Sequence, residues 1–243
     1  MKKLQPIPVL RTDPDASGVR VVECGEKLAP VQAGERIWVQ PAYYELGYET
    51  ATNVFQLRIG TVEALRRAVQ HLPDSISIIL WDGLRTLNTQ REISERFERS
   101  LSPRISNPLE RERVIRRYVS PLPTSEIEYN TIPPPHSTGG AVDLTLGNDR
   151  GQPLDLGAEF DQFDETASIA HFEHPSDGFV LSALDLARRE MRRMLYWSMT
   201  KAGFAPYPCE FWHFEYRTRR AAAFYGSAIA DYGPAMPFDR PPQ

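Results

Sequence analysis

From Ala141 to Leu146 the chain alternates apolar and other residues, which predicts a strand with Val142, Leu144 and Leu146 on one face and Ala141, Asp143 and Thr145 on the other. Asp143 is thereby expected to point away from the core. A helical spacing governs 61–72, where Val62, Leu65 and Val69 make an apolar stripe, Arg66 and Arg67 face out and Pro73 stops the helix. The run 75–81, with Ile76, Ile78, Ile79, Leu80 and Trp81, suits a buried strand ending at Asp82-Gly83. Residues 88–118 are highly charged with widely spaced Ile93, Phe97 and Ile115 and a break at Pro103 and Pro108, which predicts two helices. The strongest helix is 181–202, with Leu184, Met191, Leu195 and Met199 inward, Arg188, Arg189, Arg192 and Arg193 outward, and Gly203 as its stop. After Pro206 and Pro208 a regular strand is expected from about Phe211. The segment 1–40 reads as an arm with one short strand at 19–22, 121–135 as a proline-rich loop, and 217–243 as a loosely packed tail.

At 243 residues, 41% hydrophobic and 25% charged, the chain is expected to form a single globular domain over 1–243; disordered and fibrous classes drop out. A net charge of -4 gives no electrostatic reason for nucleic acid, and the arginines of 88–118 alternate with Glu92, Glu95, Glu98, Glu110 and Glu112 as a solvated helical face does. Cys24 and Cys209 lack metal-binding spacing, and no disulfide is expected. Gln5, Pro6, Pro8 and Arg11 interrupt any apolar leader core, and no run reaches membrane length. A cytoplasmic location is the expectation, with the periplasm as the alternative.

The candidate chemistry lies in two stretches, His136-Ser-Thr-Gly-Gly-Ala-Val-Asp143 and Glu210-Phe-Trp-His213. They offer two imidazoles, a carboxylate inside a strand and a glutamate beside a ligand, which is what a catalytic zinc site needs. Gly139 and Gly140 permit a bend that brings His136 beside Asp143. Glu210 can reach the same place from the start of its strand. Taken alone, His136 reads as a hydrogen-bonded structural histidine, and Asp143 as a turn cap. His171 and His174 form a rival His-x-x-His in an acidic loop, His71 ends a helix, and Cys209 has no evident base that would make it a nucleophile.

These two stretches resemble the H-x6-D and E-x-W-H signatures of the D-alanyl-D-alanine dipeptidases, the VanX-type branch of the zinc DD-peptidases. Tyr48-Glu-Thr-Ala-Thr-Asn53, Asp82-Gly-Leu-Arg85 and Leu156-Gly-Ala-Glu-Phe-Asp161 are similar to further segments of that family, in the same order across 43–216. Pro134 stands where a serine is common. The resemblance implies an α+β fold of the DD-peptidase/Hedgehog-like kind, an antiparallel sheet carrying the zinc site with helices packed against it. It implies one Zn2+ per chain held by His136, Asp143 and His213, Glu210 as general acid/base and Arg85 as partner of the developing oxyanion. Asp161, ahead of its rivals Glu159 and Asp164, is the expected binder of the substrate amine. The expected activity is hydrolysis of the small peptide D-Ala-D-Ala, with no nucleic acid or membrane partner. The alternatives are a zinc carboxypeptidase or endopeptidase for longer peptidoglycan peptides, a non-haem iron oxygenase and a zinc-stabilised binding domain.

Overall fold

The computed structural model describes residues 4–11, 16–173 and 180–238. Its first half runs β1 (Arg20–Val21), β2 (Leu28–Pro30), β3 (Ile37–Val39), α1 (Ala42–Glu45), β4 (Gln56–Arg58), α2 (Ile59–Gln70), β5 (Ile76–Asp82), α3 (Leu87–Leu101), α4 (Pro108–Tyr118) and α5 (Glu126–Thr131). The second half runs β6 (Ala141–Asn148), α6 (Ala183–Lys201), β7 (Ala205–Tyr207), β8 (Glu210–Glu215), α7 (Arg219–Phe224) and β9 (Ile229–Ala230). No helix of the described residues is long and apolar enough to cross a membrane.

The architecture is mixed α+β. Its principal sheet has the order β3-β5-β6-β8-β7. The pairs β5–β6, β6–β8 and β7–β8 are antiparallel, whereas β3 pairs parallel to β5. The expectation of a wholly antiparallel sheet is therefore corrected at one edge. A parallel neighbour needs a long crossover, and α2 lies on the connection from β3 to β5. β3 lies inside the stretch read as an arm, and at three residues it is too short for its alternation to be read. β2 pairs with β4 and β1 with β9, so the described strands of 1–40 are knitted into the fold.

Val142, Leu144 and Leu146 enter one core with Ile78 and Leu80 of β5, Leu65, Ala68 and Val69 of α2, and Leu195 and Met199 of α6. Here the period-two and period-3.6 stripes meet, as expected. A second cluster joins Tyr43 to Ile93, Phe97 and Leu101 of α3 and to Val119; Phe160 and Phe163 pack against both clusters. The segment that carries Asp161 is thus wedged between two apolar bodies.

Three expectations are revised. On α6, Leu184 is 53% exposed while Arg192 and Arg193 are 1% and 4% exposed. That face of the helix meets backbone carbonyls and an acid instead of water: Arg192 donates to the carbonyls of Leu156, Thr166 and Ser168, and Arg193 pairs with Glu173. The loop 121–135 contains α5, started by the Ser125 side chain. The described part of the tail is not loose: Tyr232 is fully buried with its hydroxyl on Glu26, and the Gly233 amide donates to Glu23 at 2.7 Å. Both cysteines are free.

Candidate active site

Three strands bring the chemistry to one row. Asp143 of β6 pairs in register with His213 of β8 on one side and with Asp82 of β5 on the other. Leu80 pairs with Leu144, so an unbroken ladder would set Trp81 opposite Asp143; an irregularity between Leu80 and Asp82 moves the acid into that place. His136 comes from a 3-10 turn, Pro135–Thr138, that precedes β6. The expected bend is present: Gly139 has φ +71°, and a Cβ on Gly140 would lie 2.5 Å from the Tyr216 carbonyl oxygen. β8 begins at Glu210, one residue earlier than expected, beside a register irregularity at Pro206 and Tyr207.

The ring nitrogens of His136 and His213 and the Asp143 carboxylate converge. His136 Nε2 lies 3.2 Å from His213 Nδ1 and 3.3 Å from Asp143 Oδ2, and His213 Nδ1 lies 2.9 Å from Asp143 Oδ1. Each ring is held by its other nitrogen. His136 Nδ1 donates to the Gly83 carbonyl at 2.8 Å, and His213 Nε2 faces Glu215 Oε1 at 3.2 Å. Both outer partners are acceptors, so each imidazole, in its neutral form, turns a lone pair inward. Two such lone pairs beside a carboxylate call for a cation between them. The donor set of two imidazoles and one carboxylate, all buried, fits a metal ion with an open fourth position. Burial alone would raise the Asp143 carboxyl, but His136 and His213 outweigh it and hold it well below the usual range. Burial works against the His213 imidazolium, yet its bonds to Asp143 and Glu215 lift its pKa to about 10.

Around this cluster opens a cavity of about 600 Å³ lined by Arg85, Asp161 and Glu210 as well as the three converging residues. Glu210 is 5% exposed, and its Oε1 has no hydrogen-bond partner among the described residues. Burial pushes its carboxyl well above the ordinary value. Arg85 is fully engaged: Nε donates to Asp82 at 2.8 Å, Nη1 to Gln90 at 2.8 Å, and Nη2 to Asp143 at 3.1 Å. Its guanidinium also sits 5.0 Å from the centroid of the Tyr43 ring. Asp161 takes a left-handed backbone, φ 58°, and accepts from the Tyr43 hydroxyl at 3.3 Å. Burial, then the charge of Asp143, pushes its carboxyl up to about 7.

The rivals fall away from this cavity. Glu159 and Asp164 are exposed, and Asp164 caps a short turn through Thr166. His171 is exposed and meets Phe172 edge to face; His174 lies outside the described residues. Sequence reasoning missed Tyr43, Asp82, Gln90 and Glu215. Glu215 had a signal, since it lies two residues beyond His213 on the same strand and so on the same face.

The family model of the D-Ala-D-Ala dipeptidases matches residues 47–231, which takes in every converging side chain. This chain belongs to the D-Ala-D-Ala dipeptidase family. Among curated proteins it is similar to a D-alanyl-D-alanine dipeptidase of Synechocystis sp., 28% identical over 210 residues that cover 81% of this chain and 84% of that protein. A D-alanyl-D-alanine dipeptidase of Escherichia coli is 40% identical over 80 residues, 33% of this chain and 36% of that protein. As a member of this dipeptidase family the protein is a metallopeptidase, and the His136, Asp143 and His213 cluster is the group among the described residues that could hold its metal.

Proposed function

We propose that this metallopeptidase hydrolyses D-Ala-D-Ala to free D-alanine, using one zinc ion held by His136 Nε2, His213 Nδ1 and the Asp143 carboxylate. The observation that carries the reading is the convergence of those atoms within 4.8 Å of one another, in the same cavity as a buried Glu210 oxygen that lacks a partner. When bound in this donor set, zinc supplies Lewis acidity and lowers the pKa of water at its open position toward ~7. Glu210 Oε1 accepts the proton of the attacking water and returns it to the nitrogen of the leaving alanine. Burial suits it to the task, because a carboxyl raised well above its ordinary value leaves a carboxylate that takes up the water's proton more readily. Arg85, anchored by Asp82 and Gln90, keeps its charge beside the reacting carbonyl and balances the negative oxygen that develops there. Asp161, with the Tyr43 hydroxyl, meets the ammonium group of the dipeptide, and the approaching cation favours the ionised carboxylate.

A cavity of about 600 Å³ is the size that takes a drug-like ligand, which favours one second reading: cleavage of longer peptidoglycan peptides by the same machinery. A single comparison separates the two. Zinc-loaded protein is given D-Ala-D-Ala, its L,L isomer and a longer muropeptide, and released alanine is measured. Fastest release from the D,D dipeptide is expected; preference for the muropeptide would move the second reading ahead. Metal analysis should find one zinc per chain, lost in His136→Ala and His213→Ala, and zinc retained in both would show that other residues hold it.

A further inference from the structure

His213 stands on β8 between two paired strands, so its Cα is fixed, but its ring can still turn about the Cβ–Cγ bond. A half turn would exchange the inward Nδ1 for a carbon. The backbone does not prevent this; side chains behind the ring do. Glu215 shares the strand face with His213 and is 1% exposed. Its backbone is pinned by pairing with Ala141 on one side and Ala205 on the other. Its carboxylate accepts three bonds: Oε1 takes His213 Nε2 at 3.2 Å and Arg220 Nε at 2.8 Å, while Oε2 takes the Thr218 hydroxyl. Arg217, at φ 58°, turns the chain sharply after the strand, and this turn brings Thr218 and Arg220 back onto Glu215. The same Thr218 hydroxyl also starts α7 by accepting from the Ala221 amide at 3.3 Å.

We propose that Glu215 is a positioning residue for the metal centre, fixing the His213 ring with Nδ1 toward Asp143 and His136, and that Thr218 and Arg220 hold its carboxylate in place. The inference rests on the metal-centre reading above. A carboxylate on the outer N–H of a metal-binding imidazole sets its tautomer and orientation, and loss of such a partner weakens metal affinity by roughly 10-fold to 100-fold. An ion pair serving only the turn after β8 would alter thermal stability without altering the metal's surroundings.

The test measures zinc affinity by competition with a chromophoric chelator, together with the visible spectrum of the cobalt-substituted protein. Circular dichroism of each metal-free variant checks its fold. Glu215→Ala is expected to bind zinc about 10-fold to 100-fold more weakly and to shift the cobalt bands. Glu215→Asp keeps the charge but falls short of the ring, so it should lose affinity to a similar degree; it decides the matter if the alanine variant does not fold. Glu215→Gln should recover most of the affinity, because its amide oxygen can accept from His213 and Arg220 while its NH2 group donates to Thr218. Folded alanine or aspartate variants with wild-type affinity and unchanged cobalt bands would overturn the proposal. So would a glutamine variant as weak as the alanine one, since charge rather than orientation would then be what matters. A wild type that binds no zinc, or whose binding survives His213→Ala, would instead overturn the metal-centre reading.

Discussion

A carboxylate that must take a proton from water and hand it to an amine works best when its pKa stands near the working pH. Glu210 is moved that way by burial, and no described residue occupies its Oε1. Glu210→Gln keeps the volume and removes the proton acceptor, so turnover should fall by roughly 100-fold to 10,000-fold with zinc content unchanged. Wild-type turnover in that variant would take Glu210 out of the mechanism. Arg85 differs, because its nitrogens are divided among Asp82, Gln90 and Asp143. Arg85→Ala should cost about 100-fold to 1,000-fold in rate, in the range of other oxyanion donors. Arg85→Lys should recover only part, since a single ammonium cannot span those partners. For Asp161 the discriminating ligand is a blocked amine: N-acetylated D-Ala-D-Ala should be a poor substrate for the wild type. Asp161→Asn should then weaken use of the free dipeptide and leave the acetylated one nearly as it was. Equal cleavage of both by the wild type would exclude amine recognition as the source of dipeptide preference.

The elements set how firmly those residues are held. Asp161 belongs to a long connection between β6 and α6, and α6 staples that connection through Arg192, whose guanidinium binds the carbonyls of Leu156, Thr166 and Ser168. Phe172 and Phe211 stack on it, with ring centroids 4.9 Å and 4.7 Å away. Burial lowers the Arg192 pKa to about 9, which shows how little compensating charge surrounds it. Arg192→Met leaves those carbonyls without their donor, a loss of about 3 kcal/mol or more. Thermal denaturation should show a fall in Tm of roughly 6–12 °C. An unchanged Tm would mean that water replaces the guanidinium without cost.

For the molecule as a whole, the converging residues join a turn, β6 and β8, with His136 and His213 77 positions apart in the chain. A metal there binds the folded chain and not the unfolded one, so it adds stability by mass action, about 2.7 kcal/mol when free metal exceeds the dissociation constant 100-fold. Treatment with a chelator should lower the wild-type Tm by roughly 5–10 °C, and zinc should restore it. In His136→Ala the chelator should have little further effect. A wild-type Tm indifferent to the chelator would mean that the cluster does not tie these elements together through a metal.

Local sequence determined what a period can express. Alternation placed Asp143 on the face opposite Val142, Leu144 and Leu146, helical spacing gave the buried stripe of α2, and the two glycines after His136 announced the bend that brings it to Asp143. The residues of the candidate centre were legible because their chemistry, the spacing within each stretch and the family signatures agreed. Tertiary structure alone decided what covers each face. A helix face rich in arginine looks solvated until carbonyls and Glu173 close over Arg192 and Arg193. The irregularity in β5 that sets Asp82 opposite Asp143 is a matter of strand register, which no stretch of one strand encodes. Edge strand β3 was too short to show a period, and Glu215 gained its partners only when the turn after β8 folded Thr218 and Arg220 back upon it. Periodicity reports which side chains share a side; only the packed chain determines whether water, an acid or a backbone carbonyl lies across from them.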